Sequence, residues 1–69
     1  MRKTIHITGM MCPHCEATVR QALEAVPGVS VEEVSHAEGI ARVLCADAVD
    51  PDALKAAVEA RDYTVTGID

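Results

Sequence analysis

The placement of glycine and proline constrains this chain more than any other feature. Gly9 closes a first run in which Thr4-Ile5-His6-Ile7-Thr8 alternates polar and apolar, the pattern of a half-buried strand. Pro13 suits the first turn of a helix, where its missing N–H costs nothing. Pro27-Gly28 ends that helix. Between them Cys15, Val19, Ala22, Leu23 and Val26 recur at helical spacing, with Glu16, Arg20 and Glu24 on the other side. Val29 to Ser35 reads as a second strand. Val29, Val31 and Val34 do not fall on one face of it, which predicts a bulge or a late start of the strand. A turn at His36-Ala37-Glu38-Gly39 leads into a third strand, where Ala41, Val43 and Cys45 alternate with Ile40, Arg42 and Leu44. Asp50-Pro51 is a helix N-cap followed by proline at the first helical position. Leu54, Ala57 and Val58 give that second helix its apolar stripe, and Tyr63, Val65 and the residues to Ile68 make a short last strand.

Strand, helix, strand, strand, helix, strand is the split βαβ order of α+β, ferredoxin-like folds. It predicts a βαββαβ sandwich: a four-stranded antiparallel sheet with two helices on one face. The other face is solvated and carries Thr4, His6 and Thr8. The 69 residues are expected to form one domain, 1–69. A domain of this size buries roughly 60% of the surface its unfolded chain exposes. With no Trp, no Phe and one Tyr, its core rests on Val, Ile, Leu, Ala and Met. So thin a core leaves little room for a deep substrate pocket, and no enzymatic activity is expected.

Charge narrows the partners. Six basic residues stand against 11 acidic ones, a net charge of −5. That balance disfavours nucleic acid and anionic membrane, and favours a partner with a basic surface. No apolar run approaches a membrane span, so no membrane insertion is expected. Arg2 and Lys3 are not followed by the apolar stretch of a signal peptide, so a cytoplasmic location is expected.

Three cysteines is an odd count and two of them are three positions apart, whereas a disulfide-stapled secreted domain is expected to show an even, spread set. Cys12 and Cys15, separated by Pro13-His14, sit where the first strand hands over to the first helix. A helix N-terminus carries partial positive charge and free N–H groups, which stabilise thiolate over thiol. Two intervening residues let both sulfurs converge on one point. Soft thiolates prefer Cu(I), and also take Zn(II) or other soft ions. Two thiolates suit two-coordinate Cu(I) but leave a structural zinc shell half empty. An exposed site with few ligands is open to a partner's thiolate, as metal hand-over requires.

At Gly9-Met10-Met11-Cys12-Pro13-His14-Cys15 the sequence resembles the heavy-metal-associated (HMA) domain family, whose motif is Gly-Met-x-Cys-x-x-Cys. Gly9, Met10, Cys12 and Cys15 match every fixed position. The resemblance runs through Pro27-Gly28-Val29 to Tyr63 and covers essentially the whole chain. Within the family it is most like the bacterial copper chaperones of the CopZ type. These often carry His before the second cysteine, as His14 stands here, and Tyr before the last strand, close to the metal, as Tyr63 stands here. The resemblance implies a Cu(I) metallochaperone that passes its ion to a copper-exporting P-type ATPase or a copper-sensing repressor. It implies a monomer without metal and allows a metal-bridged dimer. One departure stands out: the family usually has Gly before the Tyr, whereas this chain has Arg61-Asp62-Tyr63.

Other readings compete. A mercury or zinc carrier of the same fold, holding Hg(II) or Zn(II), is the nearest. Mercury carriers usually work in the periplasm, and zinc-directed members tend to place an acidic residue where Met11 stands. A small thiol–disulfide oxidoreductase also uses a low-pKa cysteine at a helix start, but a thioredoxin fold needs a longer chain and a larger mixed sheet. Met10 is expected in the core as a brace for the loop, and Met11 and His14 are expected in solvent. Cys45 is expected in the core at the end of the domain opposite the pair. His6 is read as a solvated sheet residue, His36 as a turn residue, and Glu16, Glu24, Glu32, Glu33, Glu59 and Asp62 mostly as solvated faces.

Overall fold

The computed structural model describes residues 1–69. Six elements follow one another: β1 (Arg2–Thr8), α1 (Pro13–Glu24), β2 (Val29–Ser35), β3 (Ile40–Cys45), α2 (Pro51–Glu59) and β4 (Thr64–Ile68). The strands form one antiparallel sheet in the order β2-β3-β1-β4. This is the ferredoxin-like βαββαβ arrangement that the punctuation predicts.

Alternation along the strands decides which face is buried. Ile5 and Ile7 of β1, Ala41, Val43 and Cys45 of β3 and Val65 of β4 meet Val19 and Leu23 of α1 and Leu54 and Val58 of α2 in one cluster. Both helices therefore cover the same sheet face. Ile5, Leu23, Leu54, Val19, Val43 and Val58 are the largest fully enclosed side chains. Each contributes about 1.5–3 kcal/mol by leaving water.

The valines of β2 do change phase, and the register with β3 slips between Val31 and Glu33. A second slip, between His6 and Ile7 against β4, has no trace in the local pattern. β1 begins at Arg2, two residues before its visible alternation, because Arg2 and Lys3 pair with Leu44 and Val43 across the sheet.

α1 ends at Glu24, short of Val26. The Val26 N–H instead bonds the Leu23 carbonyl at 3.1 Å, a tighter turn leading into Pro27 and Gly28 at φ +85. Asp50 caps α2 as expected, its side chain accepting from the Asp52 N–H at 2.9 Å. β3 runs antiparallel to β1, so Cys45 lies beside the start of β1, its N–H bonded to the Met1 carbonyl at 2.6 Å. The Ile7 N–H bonds the Gly39 carbonyl at 2.7 Å, which puts the β2–β3 turn at the other end with the loop after β1.

Candidate metal centre

The segment from Gly9 to Cys12 leaves β1 and crosses to α1. Gly9 sits at φ +97, a conformation that L side chains rarely adopt. A Cβ there would also come within 3.4 Å of the Tyr63 ring, so this glycine serves both the turn and the close approach of the aromatic. Met10 is buried in the core cluster and anchors the loop, whereas Met11 is 83% exposed. Cys12 is extended and occupies the N-cap position of α1 without making a side-chain cap, and Pro13 opens the helix. Cys15 lies in the first helical turn.

The Cys12 and Cys15 sulfurs are 3.6 Å apart, both free and both half-buried. The Cys15 thiol is lowered from an ordinary 9.0 to about 7. A hydrogen bond from the Tyr63 hydroxyl is the largest cause, followed by the Met11 backbone and the Cys12 thiol. Tyr63 is raised from its usual 10.0 for the same reason, since its proton is held between oxygen and sulfur and stays on oxygen. The helix N-terminus adds to the preference for thiolate. Near neutral pH the site therefore presents a substantial fraction of thiolate, a soft nucleophile and ligand for a thiophilic ion. No third His, Cys, Asp or Glu joins the pair in a metal-holding cluster.

Tyr63 stands immediately before β4 and His14 is exposed in the first turn of α1. Cys45 is buried in the core at the far end of the sheet. The open groove of about 540 Å³ between the α1–β2 turn and the start of α2 offers only Asp50 among possible ligands. It is not the metal centre.

Two features escape the sequence reading. Glu16 is not simply solvated: its carboxylate accepts from the His36 backbone N–H at 2.7 Å and from the ring Nδ1 at 2.6 Å. That contact holds the Glu16 carboxyl below its usual value of 4.5, the His36 backbone N–H being the largest cause. Glu32 likewise pairs with Arg2 at 2.8 Å, Glu33 with Arg42, and Glu59 accepts from the Val65 N–H at 3.4 Å. His6 meets Asp69 at 2.7 Å. The second feature is the backbone at Asp62, the one non-glycine residue with positive φ, at +70. It follows the end of α2, where helices commonly turn left-handed. Gly before the tyrosine is the cheapest solution there, and Asp is among the few residues that tolerate it.

These observations can be set against known proteins. The heavy-metal-associated domain pattern matches residues 4–64. A mercuric reductase of Shigella flexneri is 46% identical over 63 residues, covering 91% of this chain but 11% of that protein's length. A copper chaperone CopZ of Staphylococcus saprophyticus is 38% identical over 64 residues, covering 91% of this chain and 94% of that protein. Among solved structures, a CopZ metallochaperone superposes with a TM-score of 0.90 at 30% identity, covering 96% of this chain and 100% of that one. The Hg(II) complex of the N-terminal domain of Tn501 mercuric reductase superposes at 0.79 with 44% identity, covering 91% of each chain. No helix of this chain is long and apolar enough to cross a membrane. By pattern, sequence and fold, the chain belongs to the heavy-metal-associated domain family and is CopZ-like within it.

Proposed function

We propose that this chain is a copper(I) metallochaperone, with Cys12 and Cys15 as the ligands and residues 1–69 acting as a single cytoplasmic domain. The observation that carries this reading is the pair of accessible sulfurs 3.6 Å apart, with no third ligand nearby. Two thiolates satisfy linear Cu(I) and leave its flanks open. A partner's thiolate can enter, form a three-coordinate intermediate and leave with the ion, with no net redox change. A copper-exporting P-type ATPase or a copper-sensing repressor is the receiver that fits this chemistry. A second copy of the chain can supply thiolates in the same way, giving a metal-bridged dimer. Met10 fixes the loop from below, Tyr63 screens the Cys15 sulfur and favours its thiolate, and His14 faces the approaching partner.

A second reading has its own support. Identity to the mercuric reductase exceeds identity to the copper chaperone, and linear Hg(II) is equally content with two thiolates. Fold similarity points the other way, with the higher TM-score to CopZ. Because any close dithiol holds Hg(II) tightly, affinity alone does not separate the two. The test pairs a Cu(I) titration against a competing chelator with the phenotype of cells lacking the chain. Tight one-to-one Cu(I) binding with copper sensitivity supports the chaperone. Mercury sensitivity without any copper effect transfers the assignment to Hg(II).

A further inference from the structure

The first turn of α1 carries Cys15, and none of its residues is fully buried. Its N-cap residue, Cys12, makes no side-chain cap. None of Pro13, His14, Cys15, Glu16, Ala17 or Thr18 is fully buried; Cys15 packs against the edge of the core cluster, and the first fully buried residue of the helix is Val19. A first turn with no side-chain cap and no fully buried residue frays easily. Cys12 belongs to the extended loop and Cys15 to the helix, so fraying would change the distance between their sulfurs directly.

Glu16 follows Cys15 in the chain, and its side chain reaches across to the β2–β3 turn. One carboxylate oxygen, Oε2, accepts both the His36 N–H at 2.7 Å and the ring Nδ1–H at 2.6 Å. A carboxylate only accepts, so the Nδ1 of His36 must carry a proton, and the ring orientation is fixed. Charge-assisted bonds are the stronger kind, and both partners are partly shielded, with side-chain exposures of 34% and 28%. The β2–β3 turn is itself fastened to β1 through the Ile7–Gly39 bond. Cys15 itself packs against the core cluster. The turn is thus held by Glu16 to a loop of the sheet and by Cys15 to the core.

We propose that the Glu16–His36 contact is a tether that positions Cys15 against Cys12 and thereby sets how long the thiolate pair retains its metal. The tether builds on the chaperone reading: it concerns the same two cysteines and adds two positioning residues that never touch the ion. Breaking it leaves both thiols in place but lets the helical turn sample geometries in which they no longer converge. Removing outer partners of metal ligands typically costs 10–100-fold in affinity. Here the expected loss is about tenfold, at the lower end of that range, and it appears in the release rate.

The test uses Cu(I) as the probe and follows its release to excess bathocuproine disulfonate, at a temperature where every variant is fully folded by circular dichroism. Glu16→Ala and His36→Ala are expected to speed release about tenfold. His36→Asn keeps the backbone N–H and returns an amide N–H near the place of Nδ1, so it is expected to restore slow release. Release within twofold of wild type in both alanine variants overturns the tether, as does an alanine effect that Asn fails to rescue. A purely stabilising contact would lower the melting temperature without altering release from the folded protein, and that result also overturns it. If wild type takes up no Cu(I), the chaperone reading fails by itself. The tether then rests on metal-free amide exchange at Cys15, which it requires to be faster in Glu16→Ala than in wild type; equal exchange overturns it.

Discussion

Cys15 and Cys45 are the same side chain placed at opposite ends of one small domain, and their surroundings give them opposite chemistry. Cys15 stands half-buried at a helix start, beside a second sulfur and under a tyrosine hydroxyl, with its thiol brought down to about 7. Cys45 ends β3, 5% exposed, as part of the core cluster. The residue type supplies a thiol. The end of the fold decides whether it is a ligand or a piece of hydrocarbon-like packing.

The largest difference between the two is expected in reactivity. At neutral pH iodoacetamide should label Cys12 and Cys15 rapidly, while Cys45 waits for the domain to open. For a stability of about 4–5 kcal/mol, that protection is on the order of a thousandfold. Peptide mapping after timed quenching reads it directly, and comparable labelling at all three sites would erase the contrast. Stability should show the mirror image. Cys45→Ser places a hydroxyl in the core and is expected to cost about 2 kcal/mol in urea unfolding. Cys12→Ser is expected to stay within about 0.5 kcal/mol of wild type.

A smaller effect concerns the tyrosine. Cys15 labelling should rise through a midpoint near pH 7, and Tyr63→Phe should move that midpoint up toward the ordinary thiol value of 9.0. The same depression has a consequence for metal-free stability. Cys15 titrates lower in the folded state than in the unfolded one, so its contribution is complete above about pH 9. That contribution is lost as pH falls through about 7. Tyr63→Phe should flatten this rise. The smallest effect is at Asp62, where glycine relieves a left-handed backbone but loosens the unfolded chain. Asp62→Gly is expected to stabilise by less than about 1 kcal/mol.

The fold and the thiol pair are unequally visible in the sequence, for physical reasons. The bulge in β2 is legible because valines at 29, 31 and 34 break phase locally. The burial of Cys45 is legible because it alternates with Ala41 and Val43. The start of β1 at Arg2 is not, since it depends on Leu44, paired across the sheet. The departure from glycine at 62 can be seen in the sequence, but its reason is a φ of +70 that appears only with the backbone. Glu16 looks like any acid on a solvated helix face. Its partner lies 20 positions away in a turn, and nothing in the periodicity of either element brings them together.

The central claim is that metal binding belongs to Cys12 and Cys15 and that Cys45 has no part in it. A Cu(I) competition titration against bathocuproine disulfonate, run on wild type, Cys12→Ser and Cys45→Ser, tests it most directly. The expected result is that Cys12→Ser abolishes tight binding, while Cys45→Ser stays within about threefold of wild type, or roughly 0.6 kcal/mol. Equal losses from both substitutions would contradict it and bring the third thiol into the site.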